Sequence, residues 1–362
     1  MQKRKILFLG ETYRADAITW MNGLKEFGDF EIVTWELQSS SKSKVQRILR
    51  FAEFCTSVFK IRHLIRLENP DMVIAERTTS YGFLAAVSGM HPIAIAQQGK
   101  TDLWPENSIS LPLKKFLQNY AFQHADLIHA WGPIMASHMK RVNVDMKKVL
   151  VLPKGINLAQ FEFRKLPQNS QKITAVVTRS LLPEYRHEII LKAFAKVKQL
   201  GFDFDLTIVG DGNQKPSLET LAETLGISTE VKFAGRIENY ILPSLLQNSD
   251  FYVSMPTTEG VSASLFEAMA CGCYPIVTDI EGNQSWITHR KNGQLIPIDD
   301  VDFLANEIIW AFENADYRTK STIQNRKFVE EHANYSINMK VIANRYHDLI
   351  NEFQQKNTRV AN

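Results

Sequence analysis

Two glutamates with seven residues between them stand in the stretch Glu259-Gly-Val-Ser-Ala-Ser-Leu-Phe-Glu267. An ionised carboxylate only accepts hydrogen bonds, so it is suited to hydroxyl donors. The apolar run 251–256 before the first glutamate reads as a strand ending in a turn. Residues 265–270 are strong helix formers and are stopped by Gly272. Glu259 is therefore expected on the loop before a helix, and Glu267 on one of its first turns. The unpaired N–H groups of a helix start bind anions. Carboxylates flanking such a site suit a ligand that carries both phosphate and vicinal hydroxyls, a description a nucleotide sugar meets. On spacing alone, a helix cap and a solvated surface residue are an equal alternative.

The elements that must hold these residues alternate along the chain. Strands are expected at 6–9, 30–34, 72–75, 93–96, 127–130 and 149–152, with helices at 15–27, 42–68, 80–89 and 111–124. The polar segment 162–172 reads as a linker. A second set follows, with strands at 173–177, 204–209, 231–233, 251–256 and 274–278, and helices at 187–200, 216–225 and 240–247. Such alternation predicts an α/β protein with doubly wound parallel sheets. Ligands of such sheets bind at the carboxyl ends of the strands. The segment 335–355 reads as an amphipathic helix, with Ile337, Val341, Ile342, Tyr346, Leu349 and Ile350 spaced for one face.

A length of 362 residues suits two domains, and 44% hydrophobic against 22% charged residues is ordinary for a globular chain. A net charge of +3 gives no ground for nucleic-acid binding. Three cysteines, Cys55, Cys271 and Cys273, form neither a disulfide framework nor a zinc pattern, which points to a reducing, cytoplasmic setting. The charged start leads into a strand rather than a signal peptide, and no run reaches the ~20 apolar residues of a membrane span.

The frame from strand 251–256 through Glu259-Gly260 and Leu265-Phe-Glu-Ala-Met-Ala-Cys-Gly272 to strand 274–278 resembles the donor-site signature of family-four retaining glycosyltransferases. That family has the GT-B fold, two Rossmann-like domains facing across a deep cleft. The resemblance implies an acceptor-binding domain at 1–164, rejoined by a C-terminal helix at about 340–362, and a donor-binding domain at 165–339. Glu267 would accept the ribose hydroxyls and Glu259 would contact the transferred hexose. The N–H groups of Gly260, Val261, Ser262, Ala263, Ser264 and Leu265 would hold sugar and phosphates. Further stretches fit in order. Leu152-Pro-Lys-Gly-Ile-Asn157 resembles the turn that closes the first domain, and Val209-Gly-Asp-Gly212 a structural turn. In Phe233-Ala-Gly-Arg-Ile237, Arg236 and Ile237 would meet the nucleobase. Arg179 matches the arginine that clamps the diphosphate, while Tyr185 and Arg186 fall where the family carries a lysine. Two places depart from the pattern. Gly10 alone stands where a Gly-Gly loop is usual, with Arg14 four residues on, and Gln98 replaces a histidine near the reacting carbon. Glutamine can hydrogen-bond a hydroxyl but exchanges no proton near neutral pH.

The resemblance thus implies a retaining, metal-independent hexosyltransferase with Glu259, Arg179 and Gln98 as catalytic candidates. A UDP- or GDP-sugar is the expected substrate, with no cofactor and no metal. The expected acceptor is a glycan or a lipid-linked molecule, in cell-surface polysaccharide, lipopolysaccharide or glycolipid assembly. A non-catalytic nucleotide-sugar-binding protein and a sugar-nucleotide epimerase are the alternatives. The helix at 42–68 mixes Lys, Arg and apolar residues. It reads either as a core helix with a solvated basic face or as one lying on an inner-leaflet membrane surface with Phe51, Phe54 and Phe59 inserted.

Overall fold

The computed structural model describes residues 3–39, 43–97, 110–164 and 171–361. Contacts divide the chain into two units, Met1–Lys154 with Tyr335–Asn362, and Gly155–Asn334.

The first unit runs β1 (Lys5–Leu9), α1 (Ala15–Gly28), β2 (Glu31–Trp35), α2 (Lys44–Glu68), β3 (Met72–Glu76), α3 (Phe83–Ser88), β4 (Ile93–Ala96), α4 (Leu111–His124), β5 (Leu127–Ala130), α5 (Pro133–Arg141) and β6 (Val149–Val151). Its sheet has the order β2-β1-β3-β4-β5-β6, and every pairing is parallel. β3, β4 and β5 are buried at every position, Glu76 and His129 included, as strands must be in a sheet covered on both faces. The helix expected at 80–89 is instead a π-helical turn, Arg77–Gly82, followed by α3.

The second unit runs β7 (Ile173–Thr178), α6 (His187–Gln199), β8 (Phe204–Val209), α7 (Lys215–Thr224), β9 (Val231–Gly235), α8 (Leu242–Gln247), β10 (Phe251–Ser254), α9 (Ala263–Cys271), β11 (Tyr274–Thr278), α10 (Glu281–Gln284), β12 (Gln294–Ile296), α11 (Val301–Glu313) and α12 (Ala315–His332). Its parallel sheet has the order β12-β11-β10-β7-β8-β9. β10 thus lies beside β7, so the loops after both strands open on the same sheet end. The chain then returns to the first unit as α13 (Tyr335–Ala361), which buries Met339, Ile342, Tyr346, Leu349 and Ile350, while Ile337 and Val341, expected on the same face, are exposed.

The units change at Lys154/Gly155 and Asn334/Tyr335, not at 164/165 and 339/340. Residues after Lys154 already pack into the second core. Ile156 and Phe161 are buried with Tyr252, Phe266 and Cys271, and Ile156 N–H donates to the Ala333 carbonyl at 2.8 Å.

Candidate functional site

The site begins with the cap of α9. Ser262 accepts from the Leu265 N–H at 3.2 Å and so satisfies one of the free donors of that helix start. The same hydroxyl oxygen accepts from the Arg179 guanidinium, which joins the end of β7 to the start of α9. Arg179 also donates to Glu259 Oε2 at 2.6 Å and to Ser254 Oγ at 3.2 Å, and its guanidinium lies 5.5 Å from the Tyr185 ring centre. Burial opposes its charge, yet Tyr252, Glu259 and Tyr185 together hold its pKa above the ordinary arginine value.

Two glycines permit this arrangement. A Cβ on Gly282, in α10, would stand 2.1 Å from the Glu259 carbonyl oxygen. One on Gly210 would stand 2.0 Å from the Arg179 carbonyl oxygen, at a φ of +143°. Sheet and helix thus press directly on the backbone of both charged residues.

Glu267 sits in the second turn of α9, because the helix starts at Ala263. Burial lifts its pKa to about 7, against a smaller opposing pull from Arg179. Val261 and Ile237 pack on the cluster that holds Leu265 and Phe266, so the 260–265 loop and the end of β9 share one apolar support. Arg236, just past β9, is exposed.

Arg186 is placed otherwise. It takes the left-handed conformation at φ +52° and pairs with Asp299 at 2.5 Å and Glu188 at 3.3 Å. Tyr185, beside Arg179, thus has the lysine position of the sequence frame, and burial raises its pKa. Gly10 and Arg14 belong to the first unit. A Cβ on Gly10 would meet the Phe8 ring at 2.5 Å and Glu76 Cβ at 2.9 Å. Arg14 lies 3.6 Å from Glu11, whose carboxylate also takes Arg77 at 2.7 Å and Arg50 at 3.2 Å. Gln98 lies outside the described residues.

Sequence reasoning missed Ser254, Tyr252, Gly282 and the first-unit group Glu11, Glu76 and Arg77. Glu76 is fully buried, its Oε2 accepts from the Glu11 N–H at 3.1 Å, and burial raises its pKa. His187 was missed as well. It is buried near Arg179, and burial pushes its pKa down to about 4, so the ring is neutral. The chain's two Asp-x-Asp pairs lie elsewhere. Asp203 and Asp205 are at the start of β8, where Asp205 pairs with Lys172 at 2.6 Å. Asp300 and Asp302 are at the start of α11, which Asp300 caps.

A second-unit arginine therefore gathers one carboxylate, a serine at a helix start and a serine at a strand end, with a further carboxylate one turn along the helix. Such a set can bind an anion and hydroxyls side by side.

Comparison with known proteins gives two family matches. Residues 159–328 match the model described as Glycosyl transferases group 1, and residues 5–130 match Glycosyl transferase 4-like. The GtfA subunit of the UDP-N-acetylglucosamine–peptide N-acetylglucosaminyltransferase of Limosilactobacillus reuteri subsp. suis is 25% identical, over 54% of this chain and 40% of its own length. The putative colanic acid biosynthesis glycosyltransferase WcaL of Escherichia coli K12 is 22% identical, over 65% of this chain and 60% of its own. The chain thus spans about half the length of these curated relatives. Among solved structures, Anabaena HepE in complex with UDP superposes with a TM-score of 0.77 at 16% identity, covering 96% of this chain and 100% of that one. The likeness is one of fold, the GT-B arrangement of two parallel six-stranded sheets.

Proposed function

This chain belongs to the group 1 and 4-like glycosyltransferases, and on that premise we propose that it moves a hexose from a nucleotide sugar to a glycan or lipid-linked acceptor, with retention and without a metal. The observation that carries this reading is the junction of Arg179 with Glu259 and Ser262 at the start of α9. In this reading Arg179 and the α9 N–H groups take up the negative charge that grows on the leaving diphosphate as its bond to the sugar breaks. Glu267 receives the ribose hydroxyls, and Glu259 orients the hexose. The acceptor oxygen bonds to the sugar carbon on the face the phosphate leaves, and its proton passes to the departing phosphate oxygen. No side-chain base is then required, so glutamine at position 98 is compatible with turnover. The HepE complexes with UDP and with UDP-glucose favour a uridine donor over a guanosine one. WcaL favours cell-surface polysaccharide as the setting.

The test is a panel of UDP- and GDP-sugars incubated with the protein in excess EDTA, with and without a lipid-linked acceptor. Release of nucleoside diphosphate with a product of retained configuration is expected. Absence of release from a donor that binds would support a non-catalytic sugar-nucleotide binder. A new sugar nucleotide from the donor alone would indicate an epimerase.

A further inference from the structure

The helix α2 has two apolar faces, and among the described residues only one of them packs against the rest of the protein. Its inner face buries Ser57 and Ile61 completely, and Phe54 stacks on Phe83 at 6.0 Å. On the opposite side Ile48, Phe51, Cys55 and Phe59 follow one another at three- and four-residue spacing. Ile48, Phe51 and Phe59 are 69%, 60% and 70% exposed. Phe54 therefore does not belong with the outward phenylalanines, as the sequence pattern suggested. Arg50 is also turned in, bonded to the Ser39 carbonyl at 2.7 Å and to Glu11.

The charges on this side are mostly positive, although Lys60 also lies within electrostatic reach of Glu53. Glu53 and Glu68 are the only acids of α2, and both serve the inner face. Glu53 accepts from the N–H groups of Gln38 and Ser39 at 2.8 and 2.9 Å, and Glu68 accepts from Lys5 at 3.0 Å. Lys60, His63 and Arg66 are exposed. The neighbouring α4 repeats the pattern. It contains no acid, exposes Leu113 and Phe116 and carries Lys115 on its surface. An aromatic chain, Phe54–Phe83–Tyr120–Phe116, joins the two helices through α3, so both lie in one layer.

Exposed bulky apolar side chains bordered mainly by cations match the boundary of an anionic bilayer, where hydrocarbon lies beneath phosphate. We propose that the α2–α4 layer docks this protein on an anionic lipid surface, with Ile48, Phe51 and Phe59 inserted and Lys60, Arg66 and Lys115 at the phosphates. The proposal gives the lipid-linked acceptor of the functional reading a physical route to the enzyme and draws on that reading only for this purpose.

The test is co-sedimentation with phosphatidylglycerol–phosphatidylcholine vesicles, without donor or acceptor, so that its result is independent of the transfer reaction. The wild type should bind these vesicles and not pure phosphatidylcholine, and 0.5 M salt should weaken the binding. Joint replacement Lys60→Glu, Arg66→Glu and Lys115→Glu should lower the partition coefficient by at least ~100-fold. Phe51→Ser with Phe59→Ser should also lower it, with the melting temperature retained because both side chains are already in water. A wild type that ignores anionic vesicles, or variants that bind as well as the wild type, would overturn the proposal. A dimer in size-exclusion chromatography that the Phe51→Ser, Phe59→Ser variant dissolves would overturn it too, by assigning the face to a second copy of the chain.

Discussion

Arg179 directs its guanidinium at Glu259, Ser254 and Ser262 together, a geometry that a lysine ammonium cannot reproduce. Arg179→Lys keeps the charge, so Glu259 is not left buried and unpaired, yet turnover at saturating donor should fall by about 10²–10³-fold. Initial-rate measurement checks this. Glu267 supplies a pH dependence. Burial raises its pKa to about 7, so the carboxyl is protonated below that value, and a protonated carboxyl has lost acceptor capacity toward ribose hydroxyls. Affinity for a sugar nucleotide, whose diphosphate diester does not titrate in this range, should weaken by up to about tenfold per pH unit below 7. Calorimetry from pH 5.5 to 8.5 should show this slope for the wild type and a flat profile for Glu267→Gln. The same shift has the opposite sign for the unliganded protein. Its raised folded-state pKa favours the native state at low pH, and that contribution is lost as pH rises through 7. Glu259, Glu267 and Arg179 were legible in the sequence because two share one short frame and the third follows a recognisable strand. Ser254, Tyr252 and His187 were not. They reach Arg179 only through the pairing of β10 with β7 and the turn into α6, and nothing in the local sequence marks a strand residue as facing a site.

At the scale of elements, α10 and α9 fix Glu259 from both sides. Gly282→Ala places a methyl group against the Glu259 carbonyl oxygen, where backbone rather than a flexible side chain must move. A loss of about 1–3 kcal/mol in stability is expected, together with weaker donor binding because the 259–262 loop shifts. Chemical denaturation and donor titration on the same preparation would check both parts. Unchanged donor affinity would show that the glycine supports the fold and not the loop. The strands and most helices could be read from the chain because their apolar periodicity is strong. α12 was invisible for a physical reason. The side it buries is made of Arg318, Ser321, Thr322, Asn325 and Val329, spaced as a helix requires but mostly polar. Its buried donors reach backbone carbonyls, as where Ser321 donates to Lys291 at 2.9 Å and Asn325 to Asn292 at 2.7 Å. Hydrophobic patterning carries no trace of such a stripe. β12 escaped because it opens on a glutamine and offers only two apolar residues, whereas β6, of the same length, lies in the apolar run 149–152.

For the whole molecule, the chain's return as α13 makes the first unit discontinuous in sequence. Tyr346 is fully buried there and its hydroxyl lies 2.6 Å from His129 Nε2, in a ring contact group with Trp20 and Trp131. Tyr346→Ala should destabilise this unit by about 3–5 kcal/mol. Donor binding at Arg179 should persist if the second unit stays folded, and a two-step thermal transition read by calorimetry would reveal it. The amphipathic run at 335–355 announced the helix, whereas the place where the units change had to come from packing. Ile156 and Phe161 are apolar residues in a stretch whose turn residues resemble the end of the first domain. The central claim is that the second unit holds a nucleotide sugar between Arg179, Glu259 and Glu267. Calorimetric titration of the wild type and Glu267→Ala with UDP-glucose and other UDP-sugars tests it most directly. The account predicts saturable binding of at least one donor and a loss of about 1.5–3 kcal/mol on removing the carboxylate, with the melting curve intact. Equal affinity of the two proteins for that donor, or a wild type that no nucleotide sugar saturates, would contradict it.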